Sequence, residues 1–334
     1  MKQNGSTPVK PLVLVTGATG FAGSHMADLL IESGYPVRAL VRTTSDLRWV
    51  PLQAEQVTAD LRDVASLRRL VDGVRWVFHF AGATRALRPA HFFRVNTTGT
   101  LELWQALREH ADEVELFLFV SSLAASGPAP FAEAPRKESD EARPISPYGE
   151  SKLAAEQGLR EQADPRIRQL VVRPPTVYGP RDDMVLAFFR WARRGIAPLP
   201  APRGSRLSLI HARDLASACL TLAEGGSQGT FHVDDGHIHS WEQIADLAER
   251  ALGRRLRRWR LPSGLAHLAG EIGEWLGRLS GRVPPVNRDK VRDILQPYWI
   301  CDGSRARAAG FRAEIPAEEG IPRTVHWYRD EGWL

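Results

Sequence analysis

The sequence predicts an α/β protein, a doubly wound parallel sheet followed by a smaller C-terminal α+β lobe. Three observations carry this expectation. Strand-like and helix-like segments alternate from residue 11 to about residue 178. The strand-like segments are near-continuous apolar runs, as strands covered on both faces must be. Glycines at three-residue spacing follow the first run directly and open a helical pattern.

The elements follow in order. "PLVLVT" (11–16) reads as a buried strand, and the helix after its glycines runs to about Glu32. "PVRALV" (36–41), "VRWVFHFAG" (74–82), "VELFLFVSS" (114–122) and "RQLVVRPP" (168–175) are the next strands, with helical patterns such as "ASLRRLVDG" and "TGTLELWQALREH" between them. Beyond residue 178 Pro and Gly become frequent, and strand-like pieces at 207–210 and 230–233 are expected to return to the sheet. "SWEQ" (240–243) is a capping box that opens a helix with Ile244, Ala245, Ala248 and Ala251 along one side. The expected division is a flexible N-terminus (1–10), a sheet domain (11–178, with a return segment at about 207–234) and a second lobe (179–206 and 235–334).

Composition excludes several classes. The net charge of +5 comes from scattered arginines. The densest run, "RRLRRWR" (254–260), reads as a solvated strand face, because no nucleic-acid module accompanies it. Cys219 and Cys301 lie far apart without CxxC spacing, which fits a reducing compartment with neither a disulfide framework nor structural zinc. His79, His211, His232, His237 and His239 show no metal-ligand spacing and read as structural or surface groups. The N-terminus lacks the apolar run of a signal peptide, and no window reaches the ~20 apolar residues of a membrane span. A soluble, cytoplasmic protein that takes a small-molecule substrate is expected.

"TGATGFAG" (16–23) places Gly17, Gly20 and Gly23 between a strand and a helix, with Thr19 and Phe21 in the same turn. The first glycine permits the tight turn, the second lets backbone approach a pyrophosphate, and the third allows close helix packing. Free amides at the helix start then face the phosphates. A dinucleotide-binding site is the reading. An NAD site usually offers a carboxylate about 20 residues further on, but Arg42 stands there, followed by Thr43, Thr44 and Ser45. A guanidinium suits a 2′-phosphate, so NADP(H) is favoured over NAD(H). Asp60 and Leu61 are expected to close over the adenine, and Ala81 and Gly82 to let the backbone pass near the ribose.

"SPYGESK" (146–152) sets Tyr148 four residues ahead of Lys152, just after a proline suited to a helix start. Phenol and ammonium then share a helix face. Together with "DLRD" (60–63), "FHFAG", "NTTGT" (96–100), "SSLAASG" (121–127) and "RPPTVYGP" (173–180), the sequence resembles the extended short-chain dehydrogenases/reductases along almost its whole length. The resemblance implies a Rossmann sheet, a C-terminal substrate lobe and a homodimer. It implies Tyr148 as proton donor or acceptor, and Lys152 as the residue that holds the nicotinamide ribose and lowers the tyrosine pKa from its ordinary value of about 10. Ser122, five residues before Gly127, is implied as the serine that polarises the substrate oxygen. Pro175 falls on the cofactor side, and Asn96 shapes the helix behind the site.

The same resemblance bears on substrate. Dehydratases of this type carry Asp–Glu beside the serine, whereas Leu123 and Ala124 follow Ser122 here. Epimerases often place asparagine where Thr176 stands, though Arg206 occupies a position used there for a diphosphate. "GTFHVDDGHIHSWEQIADLAERALG" (229–253) and "RLPSGLAHLAGEIGEWLGRLSGR" (260–282) are similar to the 3β-hydroxysteroid and sterol dehydrogenase branch. In the latter, Leu265, Leu268, Ile272, Trp275, Leu276 and Leu279 recur at helical spacing. That stripe reads as packed on the domain, the alternative being a lid or a peripheral membrane contact through 262–280. Phe188, Phe189 and Trp191 read as core, with pocket lining as the alternative. The leading expectation is an oxidoreductase moving hydride between nicotinamide and a secondary alcohol or ketone of an apolar, sterol- or lipid-like substrate. The alternatives are a nucleotide-sugar 4-epimerase and a non-catalytic cofactor-sensing protein.

Overall fold

The structure is a computed structural model that describes residues 10–59, 64–199, 202–260, 262–280 and 288–334. Chain order begins with β1 (Val13–Thr16), α1 (Phe21–Glu32), β2 (Val37–Val41), β3 (Glu55–Thr58), α2 (Val64–Val71) and β4 (Trp76–His79). A short α3 (Pro89–Phe92) runs through a π-helical turn (Phe93–Thr98) into α4 (Gly99–His110). Then come β5 (Leu116–Val120), α5 (Leu123–Ser126), α6 (Pro147–Glu161) and β6 (Arg168–Arg173).

These strands, joined by β10 (Gly229–His232), form a seven-stranded parallel sheet in the order β10-β6-β5-β4-β1-β2-β3. Period-2 alternation sorts the β1 side chains between two layers. Val13 and Val15 pack with Met26, Ala27 and Leu30 of α1 and with Leu215 and Cys219 of α8 (Ala212–Glu224). Leu14 packs the other way, with Leu67, Leu103, Trp104 and Leu159 from α2, α4 and α6. Each Val, Leu or Met among them contributes roughly 1.5–3 kcal/mol by leaving water. β3 has no apolar run to announce it: its "EQVT" is largely exposed at the sheet edge and is defined by pairing, from Arg38↔Glu55 to Val41↔Thr58.

The second lobe holds β7 (Thr176–Tyr178), α7 (Leu186–Arg193), β8 (Ile196–Leu199), β9 (Arg206–His211), β11 (Ile238–Ser240), α9 (Trp241–Leu252), β12 (Arg257–Arg260), α10 (Ser263–Ser280), α11 (Arg288–Ile294), β13 (Tyr298–Trp299), α12 (Ser304–Ala308) and α13 (Ala317–Asp330). Of the two pieces expected to rejoin the main sheet, only 230–233 does so, as β10. The 207–210 piece lies in β9, which pairs with β7, β11 and β13 in a separate four-stranded sheet. Pro174 and Pro175 follow β6 directly and cannot donate to its ladder, so β7 leaves the sheet and β9 pairs with it.

The capping box is present. Ser240 Oγ accepts from Gln243 N–H at 3.2 Å, and Gln243 Oε1 accepts from Ser240 N–H at 2.7 Å. Ile244, Ala245 and Ala248 enter the lobe core with Phe189 and Tyr328. Trp191, by contrast, is exposed. β12 presents Arg257, Arg258 and Trp259 to solvent, with Arg258 paired to Asp246 and Arg260 to Glu242. Both cysteines are free and buried. Lys10 is the only described residue of the expected flexible N-terminus, and its ammonium donates to the Ser33 carbonyl and sits 4.2 Å over the Tyr35 ring.

The expectation that the α10 stripe is packed does not hold. Leu265, Leu268, Ile272 and Trp275 are 50–62% exposed, while the side chains of Leu276 and Leu279 lie outside the described residues. Helical spacing reports that four apolar side chains share a face; it does not say that a neighbour covers it. No described helix is long and apolar enough to cross a membrane.

Candidate active site

β1 pairs with β2 on one side and β4 on the other, so the sheet changes winding direction at the β1–β4 crevice. Ligands of open α/β sheets bind outside the carboxyl ends of the strands at such a point. The glycine turn stands there. Gly17 has φ +75° and lies so near the next strand that a Cβ would come within 2.7 Å of the Ala81 nitrogen. Gly20 caps α1 with no side-chain hydrogen bond and no acidic residue in the first turn. The helix-start amides are therefore left for an anion. Thr19 and Phe21 flank this cap, half-buried. Across the crevice, a Cβ on Gly82 would fall 3.1 Å from both Asn96 Oδ1 and Lys152 Nζ. The glycine thus keeps open a cradle between the β4 end and the catalytic helix, and the residues present fit a dinucleotide.

Arg42 follows β2 immediately and is exposed. Its turn is closed by Arg42 N–H donating to Ser45 Oγ at 3.0 Å and Ser45 N–H donating to the Arg42 carbonyl at 2.9 Å. Since Thr16 registers with Leu40, this turn sits beside the glycine turn. Asp60 and Leu61 lie outside the described residues.

The chemistry gathers at the end of β5. Ser122 caps α5, its hydroxyl accepting from Ala124 N–H at 3.1 Å. Ser146 caps α6 with Pro147 next, which puts Tyr148 in the first turn and Lys152 one turn along. A Cβ on Gly149 would collide with the Ala124 carbonyl, so only glycine lets the two helices meet this closely. As a result the Ser122 hydroxyl lies close enough to the Tyr148 phenol to lower its pKa. The phenol is raised above its ordinary range by burial, with Ser122 pulling it down and Asp293 pushing it further up. It rests as a neutral proton donor.

Lys152 Nζ donates to the Val120 carbonyl at 2.9 Å and lies 4.7 Å over the Phe119 ring. Burial pushes its ammonium down to about 8, against the pull of Glu156. Glu156, one turn further along α6, forms a buried ion pair with Arg173 of β6 at 2.5 Å. It also accepts from Ser121 Oγ at 2.5 Å, and Arg173 donates onward to Ser126 Oγ, which is hydrogen-bonded to His232. Asn96 accepts from Ala83 N–H at 2.7 Å and donates to Ser151 Oγ at 3.0 Å, fixing the backbone behind the site. His79, bonded to Thr16 and Thr100, and His232 are buried and each pushed down to about 3, so both are neutral structural groups.

The remaining sequence candidates fall nearby. Pro175 is half-buried, next to Pro174, whose carbonyl accepts from Leu123 N–H at 2.8 Å. Thr176 is exposed at the start of β7. Arg206 opens β9 and bonds the carbonyls of Gly204 and Ser205. The sequence reading missed two groups. The Glu156–Arg173 pair left one signal, an arginine that closes the apolar run Leu170–Val172 at the end of a buried strand. Asp293, on a short helix far along the chain, left none.

A family model, "NAD dependent epimerase/dehydratase family", matches residues 13–233. The chain belongs to that family. Its full length also aligns with a ceramide reductase of Caulobacter vibrioides, 31% identical over 332 residues and covering 98% of both chains. Among solved structures, that of gox2253 superposes with TM-score 0.80 at 28% identity, covering 97% of this chain and 100% of the other. A Thermus thermophilus UDP-glucose 4-epimerase in complex with NAD superposes with TM-score 0.76 at 25% identity, covering 95% and 99%. As a member of the epimerase/dehydratase family the chain is an enzyme of the extended short-chain type that depends on a nicotinamide dinucleotide.

Proposed function

We propose that the protein reduces a ketone of a lipid-like substrate to a secondary alcohol, with NADP(H) as the favoured cofactor. The carrying observation is the placement of Ser122, Tyr148 and Lys152 around the end of β5, with burial keeping the phenol neutral. A protonated tyrosine beside a serine donor is poised to hydrogen-bond a carbonyl oxygen and give it a proton. The nicotinamide, when bound, supplies the hydride. Lys152 and Gly82 would hold the ribose next to the phenol, the turn of Gly17 and Gly20 the pyrophosphate, and Arg42 a 2′-phosphate. Leu123 and Ala124 offer no acid–base pair for eliminating water, which argues against dehydration. The end-to-end similarity to a ceramide reductase supports the substrate class.

The exposed face of α10 supports the same class. Leu265, Leu268, Ile272 and Trp275 form an apolar stripe that begins a few residues after the arginines of β12. A helix with an exposed apolar face suits the surface of a bilayer, where a lipid-like substrate resides.

A second reading, nucleotide-sugar 4-epimerase, draws on Arg206 and on the likeness to a UDP-glucose 4-epimerase. One experiment separates the two. The purified protein is given NADPH with long-chain ketones, and separately UDP-glucose. Reduction is expected to consume NADPH with a ketone and to stop in Tyr148→Phe while cofactor binding persists. Interconversion of UDP-sugars without net change in nicotinamide absorbance would replace this reading with epimerisation.

A further inference from the structure

Asp293 stands where an apolar-substrate site has no evident use for a carboxylate. Its helix, α11, is tied down on both sides of it: Arg292 Nη1 donates to the Ile145 carbonyl at 3.1 Å, and the Trp299 indole donates to the Asp293 carbonyl at 2.6 Å. Ile145 directly precedes Ser146, the cap of the catalytic helix, so this clamp sets Asp293 against the first turn that carries Tyr148. Ser146 lowers the pKa of the carboxyl, and the carboxyl's charge in turn raises that of the Tyr148 phenol. Lys290, on the same helix, favours its ionised form, while burial pushes it up to about 6. Yet Asp293 Oδ1 is buried with no hydrogen-bond partner among the described residues. An unsatisfied buried acceptor costs about 1–3 kcal/mol, and that cost is relieved if a bound molecule brings the missing donor.

A purely structural role is the rival explanation. A carboxylate beside Ser146 complements the positive end of α6. That role needs only a charge near the cap and leaves Oδ1 unexplained.

We propose that Asp293 determines substrate specificity: its unpartnered Oδ1 accepts a hydrogen bond from a hydroxyl or amide N–H carried on the carbon next to the substrate's reacting carbonyl. This rests on the reading of the chain as a ketone reductase and narrows its substrates to ketones bearing an adjacent donor. Sites built to receive a donor discriminate strongly against analogues that lack it, because the buried acceptor is then left unpaired.

The test measures kcat/KM for two pairs of long-chain ketones with NADPH. One pair is an α-hydroxyketone and its O-methyl ether; the other is an α-(acylamino)ketone and its N-methylated form. The wild-type protein is expected to prefer at least one donor-bearing member over its blocked partner by about tenfold or more, and which pair responds identifies the donor. Asp293→Ala is expected to bring that ratio to within about twofold of unity, and Asp293→Asn, which keeps an acceptor oxygen, to retain part of it. A wild-type ratio near one for both pairs would overturn the proposal while leaving ketone reduction intact, and that comparison needs no variant to fold. So would an unchanged ratio in Asp293→Ala with both members slowed equally, the signature of a structural role. Failure of the wild type to reduce any ketone would remove the underlying reading and the proposal with it.

Discussion

The ammonium of Lys152 is held by the carbonyl of Val120, 2.9 Å away, so the catalytic helix is fastened to the end of β5 at the point where the serine and tyrosine meet. The lysine reaches this carbonyl because Lys152 is one turn beyond Tyr148 and faces the sheet while the phenol faces Ser122.

The first prediction concerns pH. Burial lowers Lys152 to about 8, below its usual range, so the fold prefers the neutral amine and the ammonium is lost as pH rises through about 8. Turnover that needs the charge should fall above that pH. Over the interval from about 8 to 10.5 the unfolded chain binds more protons, so this group's contribution to stability rises as activity declines. A kcat profile from pH 6 to 10 checks this. Lys152→Arg, whose guanidinium does not titrate there, should be slower throughout but lack the alkaline limb; a limb that persists unchanged would assign it to another group.

A second prediction follows from the Glu156–Arg173 pair, whose side chains are 1% and 5% exposed. Removing one member leaves an uncompensated buried charge, so Glu156→Leu or Arg173→Met should each cost about 3–5 kcal/mol in urea unfolding. The double replacement should recover at least half of the larger loss, since the desolvation penalty leaves with both charges. Strictly additive losses would contradict the coupling.

A third prediction addresses the cofactor. Arg42→Asp replaces a guanidinium on the turn beside Gly17 with a carboxylate that repels a 2′-phosphate and accepts from a 2′-hydroxyl. The KM for NADPH should rise by about tenfold or more, with that for NADH unchanged or lowered. An equal rise for both would show that Arg42 does not read the 2′ position.

The fourth concerns α10. Ile272→Glu with Trp275→Glu should weaken co-sedimentation with lipid vesicles by about tenfold, leaving reduction of a short water-soluble ketone unchanged. Equal sedimentation of both proteins would leave the apolar face without this role.

The separation between local and long-range information is visible residue by residue. Gly17, Gly20, Tyr148 and Lys152 were legible because a turn or one helical turn holds all the geometry their chemistry requires. The capping box at Ser240 and Gln243 was legible for the same reason. The sheet domain itself followed from apolar runs buried on both faces. The polar edge strand β3 did not, since only its pairing with β2 defines it.

By itself, then, the sequence determined the doubly wound sheet, the glycine turn after its first strand and the one-turn spacing of Tyr148 and Lys152, because each is written in contiguous stretches with its own backbone preferences. Only the tertiary structure decided that β9 leaves the main sheet, that the α10 stripe faces outward, that Glu156 is neutralised by Arg173, and that Asp293 stands against the catalytic helix. Those outcomes depend on which surfaces remain to be covered once the chain has folded. The clamp that places Asp293 joins residues 147 positions apart, a distance over which no local pattern carries information.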